Sequence, residues 1–158
     1  MLPDIVIDTN VLCHADNPTE PRCAASRTLM SRLLEVPTHL CVDRGFALDR
    51  ATNRSHICAE YLDMLVPGSV PYAVLSHLAA TGRVREVDRR PDYATGKRVM
   101  KMVAKRRDRI FVGVAHNSTG RTLVSHDFKD FAADKRQAIR KEVGVSIVEA
   151  LESAPLLA

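Results

Sequence analysis

Four acidic residues occupy positions where a carboxylate can do chemistry rather than only face solvent. Asp8 follows a short apolar run at residues 5–7, and Asp127 follows another at residues 122–125, so each comes at the carboxyl end of a predicted buried strand. Asp108 is placed to cap the helix that follows it. Carboxylate oxygens are the ligands that Mg²⁺ and Mn²⁺ prefer, so a cluster of these residues predicts a divalent-cation site rather than a zinc site.

The fourth acidic residue, Glu60, lies within an apolar segment. At 100° per residue it falls between Ile57 and Met64, and near Tyr61, on the helix face that we expect to be buried. Burying an ionised carboxylate without a partner costs several kcal/mol, so Glu60 should be ion-paired, protonated or bound to a metal. Asp63, in contrast, is predicted to point toward solvent.

The predicted topology gives the four carboxylates a common location. Ligand sites of open parallel sheets form outside the carboxyl ends of the strands, and helices that follow right-handed crossovers begin near that edge. Taken singly, Asp8 would start a turn and Asp108 would only cap its helix. Glu60 would pair with an arginine such as Arg44, and Asp127 would lie in a loop. Four unrelated structural roles that place four acids at one sheet edge are less expected than one metal site. We therefore predict a metal site.

Strands and helices alternate along the chain at short spacing. The apolar runs predict strands at residues 5–7, 39–42, 84–87, 122–125 and 145–148. Helical periodicity and capping residues predict helices at residues 21–37, 55–66, 70–81, 94–105, 108–120 and 134–143. This alternation favours an α/β fold, a three-layer α/β/α sandwich around a mainly parallel central sheet.

Length and composition favour one globular domain over residues 1–158, since 46% of the residues are hydrophobic and 27% are charged. The cysteines at positions 13, 23, 41 and 58 form no CxxC pair, which predicts reduced, mostly buried thiols rather than a zinc or redox centre. The first residues lack a basic segment, and no apolar run approaches the roughly 18 residues of a membrane span. We therefore expect a cytoplasmic protein without membrane association.

Basic residues are concentrated in one segment, although the net charge is only +4. Residues 97–109 contain seven lysines and arginines and a single acid, Asp108. Two interpretations stay open for this segment, a solvated helix face and a surface that contacts phosphates. Aromatic residues make up only 4% of the chain, which argues against a base-stacking platform.

The acidic residues lie in motifs that together resemble a known family. The segments IVIDTNVL, ICAEYLDML, RRDRIFVGVAHNS and LVSHDFKDF resemble, in this order, the acidic signatures of the PIN-domain ribonucleases, especially the toxin-type members. The resemblance covers nearly the whole chain. It implies a PIN-like fold and a four-acid Mg²⁺ or Mn²⁺ site, to which this sequence would contribute Asp8, Glu60, Asp108 and Asp127.

The same resemblance implies roles for further residues. Asp130 stands where some family members supply an additional metal-binding acid, and Thr9, Asn10 and Ser125 match the polar residues that orient the ligands. The basic residues expected to steer the RNA backbone past the acids are Lys105, Arg106, Arg107 and Arg109.

The resemblance implies a divalent-metal-dependent endoribonuclease that hydrolyses RNA phosphodiester bonds, with RNA as its substrate. Bound metal would lower the pKa of a water molecule and neutralise charge on the phosphoryl oxygens. Many PIN proteins are toxins that are inhibited by a small antitoxin protein whose basic segment enters the acidic site. Such a partner and a homodimer both stay open. The irregular segment at residues 42–53 is longer than in compact members of the family. The subfamily and the RNA target therefore stay open too.

Two other functions are compatible with parts of the sequence. A haloacid-dehalogenase-like phosphatase also ends its first strand with a nucleophilic aspartate and later uses an acidic pair resembling Asp127 and Asp130. Those enzymes carry a second acid two residues after the nucleophile, where this chain has Asn10, and Glu60 would lack a role. The other alternative is an RNA- or protein-binding domain without turnover.

Overall fold

Five parallel strands form the sheet in the computed structural model, which describes residues 1–157. They are β1 (Asp4–Ile7), β2 (His39–Asp43), β3 (Val84–Val87), β4 (Thr122–Val124) and β5 (Ser146–Val148). Their order is β3-β2-β1-β4-β5, and every neighbouring pair is parallel. All residues of β1 and β4 are buried, as expected of central strands that are covered on both faces.

The helices cover the sheet in two groups. They are α1 (Thr9–Ala15), α2 (Cys23–Glu35), α3 (His56–Met64), α4 (Val70–Ala80), α5 (Tyr93–Met102), α6 (Arg106–Asn117), α7 (Ala133–Val143) and α8 (Ala150–Ser153), followed by a 3₁₀ turn at Ala154–Leu156. Helix α2 packs on α1, α4 and α8, whereas α5 packs on α6 and α7. The predicted three-layer α/β/α sandwich around a parallel sheet is confirmed.

Several local predictions need correction. The sequence patterns did not predict α1 or α8, and the helix expected to begin at Asp108 begins at Arg106. The cap position of α6 belongs to Lys105, which makes no capping hydrogen bond through its side chain. Asp108 therefore lies in the first turn of α6, where a carboxylate is still favoured by the unpaired backbone N–H groups. Met64, predicted to be buried, is 59% exposed.

The cysteines agree with the prediction of reduced thiols. All four are free, and Cys23, Cys41 and Cys58 are buried. Burial raises the pKa of Cys41 to about 12 and that of Cys58 to about 11, so neither thiol offers a thiolate at neutral pH. Within residues 1–157, no helix is long and apolar enough to span a membrane.

Two helical glycines provide a matched stability test. A Cβ on Gly113, in α6, would clash with the carbonyl oxygen of Arg89 and lie 3.1 Å from its carbonyl carbon. A Cβ on Gly96, in α5, would meet only Pro91, at 4.0 Å. We expect Gly113→Ala to lower the free energy of unfolding by about 2 kcal/mol. Gly96→Ala should instead raise it by roughly 0.5–1 kcal/mol, because alanine favours helix more than glycine does.

Urea denaturation of both variants would measure these changes. Equal effects of the two substitutions would contradict the close packing of α6 against the backbone near Arg89.

Candidate metal centre

The centre of the site lies where β1 and β4 end side by side. Ile7 pairs with Val124 in the sheet, so the next residues, Asp8 and Ser125, are neighbours at the carboxyl edge. The Ser125 hydroxyl donates a 2.7 Å hydrogen bond to Oδ2 of Asp8, and the Asn10 amide donates one of 2.9 Å to the same oxygen. These two donors fix the orientation of the Asp8 carboxylate, which is the role that the family resemblance implied for them.

A tight turn after β4 presents the next two acids. The backbone N–H of Asp127 donates to the Ser125 hydroxyl at 3.1 Å, which links this turn to Asp8. Asp127 Oδ1 in turn accepts hydrogen bonds from the backbone N–H groups of Lys129, at 3.1 Å, and Asp130, at 2.8 Å. Because Oδ1 closes this turn, the side chain of Asp127 is held in place by the local backbone.

Asp108 brings a third carboxylate to this turn. One carboxylate oxygen of each of Asp108, Asp127 and Asp130 lies within 4.8 Å of the other two. Asp108 is 6% exposed, and its Oδ2 is a buried oxygen without a hydrogen-bond partner among the described residues. Burial, together with the charges of Asp8 and Asp130, raises the pKa of Asp108 to about 6. We call Asp8, Asp108, Asp127 and Asp130 the acidic cluster.

Asp8 lies beside the close trio rather than within it, and its electrostatics connect it to the other acids. Burial raises its pKa, and the charges of Glu60 and Asp127 act in the same direction, whereas the hydrogen bond from Ser125 opposes them. Such raised pKa values are typical of carboxylates whose charge would be compensated by a bound cation.

Glu60 lies at the rim of the site. Its side chain is 16% exposed, and Oε2 lies 3.5 Å from Nε of Arg107, not beside Arg44. Asp63 points away, as predicted, and its ion pair with Arg50 at 2.6 Å is about two-thirds exposed on both sides. Glu60 therefore faces the site while Asp63 faces solvent.

The basic residues predicted to contact RNA differ in what they contact. Lys105 forms an ion pair with Asp130, and Nε of Arg107 lies 3.9 Å from Asp108 Oδ1 in addition to its contact with Glu60. Hydrogen bonds from Lys105 lower the pKa of Asp130. Arg109 instead donates to the backbone carbonyls of Val103 and Ala104 and stabilises the start of α6. Among the described residues, Arg106 has no carboxylate partner.

Two other predicted residues have different roles. Asn10 connects the two strand ends, since its Oδ1 accepts a 3.1 Å hydrogen bond from the backbone N–H of His126. Thr9 begins α1, and its buried hydroxyl has no hydrogen-bond partner among residues 1–157. The expectation that Thr9 orients a carboxylate through a hydrogen bond is therefore not met.

The structure adds residues that the sequence patterns did not single out. Asp43 ends β2 and accepts hydrogen bonds from Ser55 Oγ at 2.6 Å and from the backbone N–H groups of His56 and Ile57 at 2.9 Å. It thereby anchors the first turn of α3, the helix that carries Glu60. The strand-end position that identified Asp8 would also have identified Asp43, had the strand been extended beyond residue 42.

Tyr61 and a histidine pair complete the surroundings. The fully buried Tyr61 donates a hydrogen bond from its hydroxyl to the carbonyl of Ile7, directly before Asp8. Tyr61 could have been found in the sequence next to Glu60.

The rings of His14 and His126 are stacked, with their Nδ1 atoms 2.9 Å apart. Burial lowers the pKa of His126 to about 4, and His14 adds to this effect, so His126 is neutral at physiological pH.

Comparison with models of known families, with curated proteins and with solved structures gives no match. The family resemblance therefore depends on the four sequence motifs, and the function has to be argued from the site itself.

The residues present fit a hard divalent cation. The acidic cluster offers only carboxylate oxygens, which select Mg²⁺ or Mn²⁺ over softer metals. The partnerless Oδ2 of Asp108 is a buried acceptor directed at no protein donor, and cation binding would satisfy it. Asp108, Asp127 and Asp130 are the residues that the geometry best suits to bind the ion, with Asp8 next to them.

Proposed function

We propose that this chain is a divalent-metal-dependent endoribonuclease of the PIN type. The observation that carries the proposal is the convergence of Asp108, Asp127 and Asp130 within 4.8 Å, with a buried and unpartnered oxygen on Asp108. Like charges at this separation repel, and a bound divalent cation would compensate the repulsion that the contacts of Lys105 and Arg107 relieve only in part. The resemblance of the four acidic motifs to those of PIN-domain ribonucleases supports RNA as the substrate.

Each group of side chains has a defined task in this proposal. Asp8, Asp108, Asp127 and Asp130 would bind the cation, and Glu60 would add negative charge at the rim. When bound, Mg²⁺ or Mn²⁺ lowers the pKa of water and neutralises charge on phosphoryl oxygens. Ser125 and Asn10 keep the Asp8 carboxylate in one orientation. Lys105 and Arg107 place positive charge beside the acids, where an RNA phosphate has to approach.

Cleavage of a labelled single-stranded RNA by the purified protein tests the proposal. We expect cleavage with Mn²⁺ or Mg²⁺ and none with a chelator. If the RNA stays intact with both metals, the chain is a binding domain without turnover. If fluoroberyllate traps an aspartyl-phosphate analogue on Asp8, the chain is instead a phosphatase of the haloacid-dehalogenase type.

Glu60 and Asp63 form a matched pair of variants for this assay. Glu60→Gln should lower turnover at least about tenfold, a loss of roughly 1.4 kcal/mol of transition-state stabilisation, because it removes charge beside Arg107 and Asp108. Asp63→Asn should change turnover less than about twofold, since its exposed ion pair with Arg50 contributes little. The reverse ranking would remove Glu60 from the site.

The proposal also concerns partners and location. An RNA-cleaving toxin acts on cellular RNA in the cytoplasm and is inhibited by an antitoxin whose basic segment enters the acidic cluster. Co-expression of the protein encoded by the adjacent reading frame, followed by copurification and the cleavage assay, would test for that antitoxin.

A further inference from the structure

A groove is lined by residues outside the acidic cluster. It has a volume of about 380 Å³ and lies between the segment before α5 and the first turns of α5 and α6. Its charged lining is mostly basic: Arg89, Arg90, Lys97, Arg106 and Arg109, against one acid, Asp92. Because the lining includes the aromatic residue Tyr93, we call it the Tyr93 groove.

Three of its cations are free to meet a ligand. Among the described residues, Arg90, Lys97 and Arg106 have no carboxylate partner, whereas Arg89 lies 3.5 Å from Asp43. The one acid, Asp92, already caps α5 by accepting a 3.0 Å hydrogen bond from the backbone N–H of Thr95. The groove therefore presents uncompensated positive charge.

Tyr93 is an exposed aromatic residue within this basic surface. It is 78% exposed, although a tyrosine ring usually lies at least partly against the protein. Lys97 Nζ lies 4.5 Å from the centre of the ring, a cation–π contact that restrains the ring without burying it. The low aromatic content argued against a base-stacking platform, and the exposed ring of Tyr93 in this groove is an exception to that expectation.

The groove shares two lining residues with a second hollow that contains Glu60. That hollow, of about 510 Å³, also contains Arg107, and it shares Arg106 and Ile110 with the Tyr93 groove. Arg107 in turn contacts Asp108 of the acidic cluster. A ligand bound in the groove at Arg106 therefore lies one residue along α6 from Arg107, which contacts Asp108.

We propose that the Tyr93 groove binds single-stranded RNA on one side of the cleavage position, with a base stacked on Tyr93 and phosphates contacting Arg90, Lys97 and Arg106. This inference rests on the proposed function, since it supplies the path of the substrate. Exposed rings next to unpaired cations are the combination that single strands bind, because bases offer π-faces and the backbone offers regularly spaced negative charge. A duplex hides its base faces, so it should bind less tightly.

The charge alone would also suit an acidic protein segment. The exposed ring favours RNA, because a glutamate- or aspartate-rich peptide has no group that stacks on tyrosine. Competition between the two ligand types is therefore part of the experiment.

The experiment measures the binding of a fluorescein-labelled oligouridine of about twelve nucleotides by fluorescence anisotropy, in chelator. We expect Tyr93→Leu to weaken binding about tenfold, while Tyr93→Phe, which keeps the ring, stays within about twofold of wild type. Arg90→Gln and Arg106→Gln should each weaken binding and lower the slope of log affinity against log salt by about 0.7. Arg32→Gln, on α2 in the opposite helix layer, is the charge-matched control and should change neither quantity.

Several outcomes would overturn the proposal. They are the absence of oligouridine binding by wild type, equal affinities of Tyr93→Leu and Tyr93→Phe, and displacement of the probe by polyglutamate or duplex RNA as readily as by unlabelled oligouridine. Melting curves of the variants confirm that they are folded.

Binding in chelator separates this proposal from the nuclease proposal. Tyr93-dependent binding without any cleavage in Mn²⁺ would contradict only the nuclease. Metal-dependent cleavage that Tyr93→Leu leaves unchanged at subsaturating RNA would contradict only the Tyr93 groove.

Discussion

Asp8→Asn should lower metal-dependent RNA cleavage at least about a hundredfold, a loss of roughly 2.7 kcal/mol, while the protein stays folded. The amide keeps the shape of the carboxylate, and its oxygen can still accept from Ser125 and Asn10, which now donate to Asp8 Oδ2. What the substitution removes is one negative charge next to Asp127 and Glu60, both of which act on the pKa of Asp8. Loss of activity without loss of structure is therefore the expected result.

Initial cleavage rates over a range of Mn²⁺ concentrations would measure the effect. Ser125→Ala is the graded comparison, since it removes one donor to Asp8 but no charge, and should cost about tenfold. Asp63→Asn, which neutralises an exposed acid, controls for the change in net charge. Wild-type rates in Asp8→Asn would remove Asp8 from the metal site, and equal losses in Asp8→Asn and Ser125→Ala would show that its orientation matters more than its charge.

The sequence predicts the strands well because the apolar run that identifies each strand is a local pattern. The apolar runs identify the strands to within one or two residues, and β3 lies at residues 84–87 as predicted. The alternation of strands and helices predicts that the strands are parallel and that Asp8 and Asp127 lie at the same sheet edge, whereas the adjacency of β1 and β4 is seen only in the structure. The part of the site that lies at strand ends is therefore accessible from sequence.

The remainder depends on packing between distant helices. Arg107 meets Glu60 only because α6 and α3 are adjacent, and no local pattern indicates that pairing in place of Arg44. The motif resemblance includes Asp130, but its ion pair with Lys105 spans 25 residues of sequence and has no local signal. The seven-residue helix α1 was missed because Asp8 precedes it without making a side-chain cap. Met64 was misplaced because Leu62 and Leu65 face the core instead.

Asp108→Asn should stabilise the metal-free protein at neutral pH and remove most of the stabilisation that metal provides. Burial and the charges of Asp8 and Asp130 raise the pKa of Asp108 from 3.8 to about 6, so the folded state binds this proton more tightly than the unfolded state does. Ionised Asp108 therefore costs stability above pH 6. The cost disappears as the pH falls from about 6 to about 4, and at most it amounts to about 3 kcal/mol.

Other groups titrate in the same range, and the comparison of variant with wild type removes their contribution. The folded pKa of His126 is lowered from 6.5 to about 4, so His126 acts in the opposite direction and lowers stability as the pH falls. Asp130, whose pKa is lowered, acts only below about pH 4. Both groups are present in wild type and in Asp108→Asn. The difference between the two proteins therefore reports Asp108 together with its electrostatic interactions with Asp8 and Asp130.

We expect that difference in the free energy of unfolding to be near zero at pH 4, where protonated Asp108 resembles asparagine, and to grow to about 2–3 kcal/mol in favour of the variant at pH 7. Urea titrations in chelator at four pH values would measure it. A difference that does not change with pH would show that the Asp108 carboxylate is not strained by burial and by the charges of its neighbours.

Metal should offset the greater stability of Asp108→Asn at pH 7, and at concentrations well above a hundred times Kd wild type should become the more stable protein. Binding to the folded state stabilises by RT ln(1 + [L]/Kd), about 2.7 kcal/mol at a hundredfold excess over Kd. Asp108→Asn should lose most of this metal-dependent stabilisation. The variant lacks the negative charge of the Asp108 carboxylate, whose buried Oδ2 has no hydrogen-bond partner in the protein. Asp127→Asn is the informative comparison. Its amide oxygen can still accept the N–H groups of Lys129 and Asp130, so it tests ligand charge while the turn stays closed. If Mn²⁺ raises the melting temperature of all three proteins equally, the ion binds elsewhere and the acidic cluster is not its site.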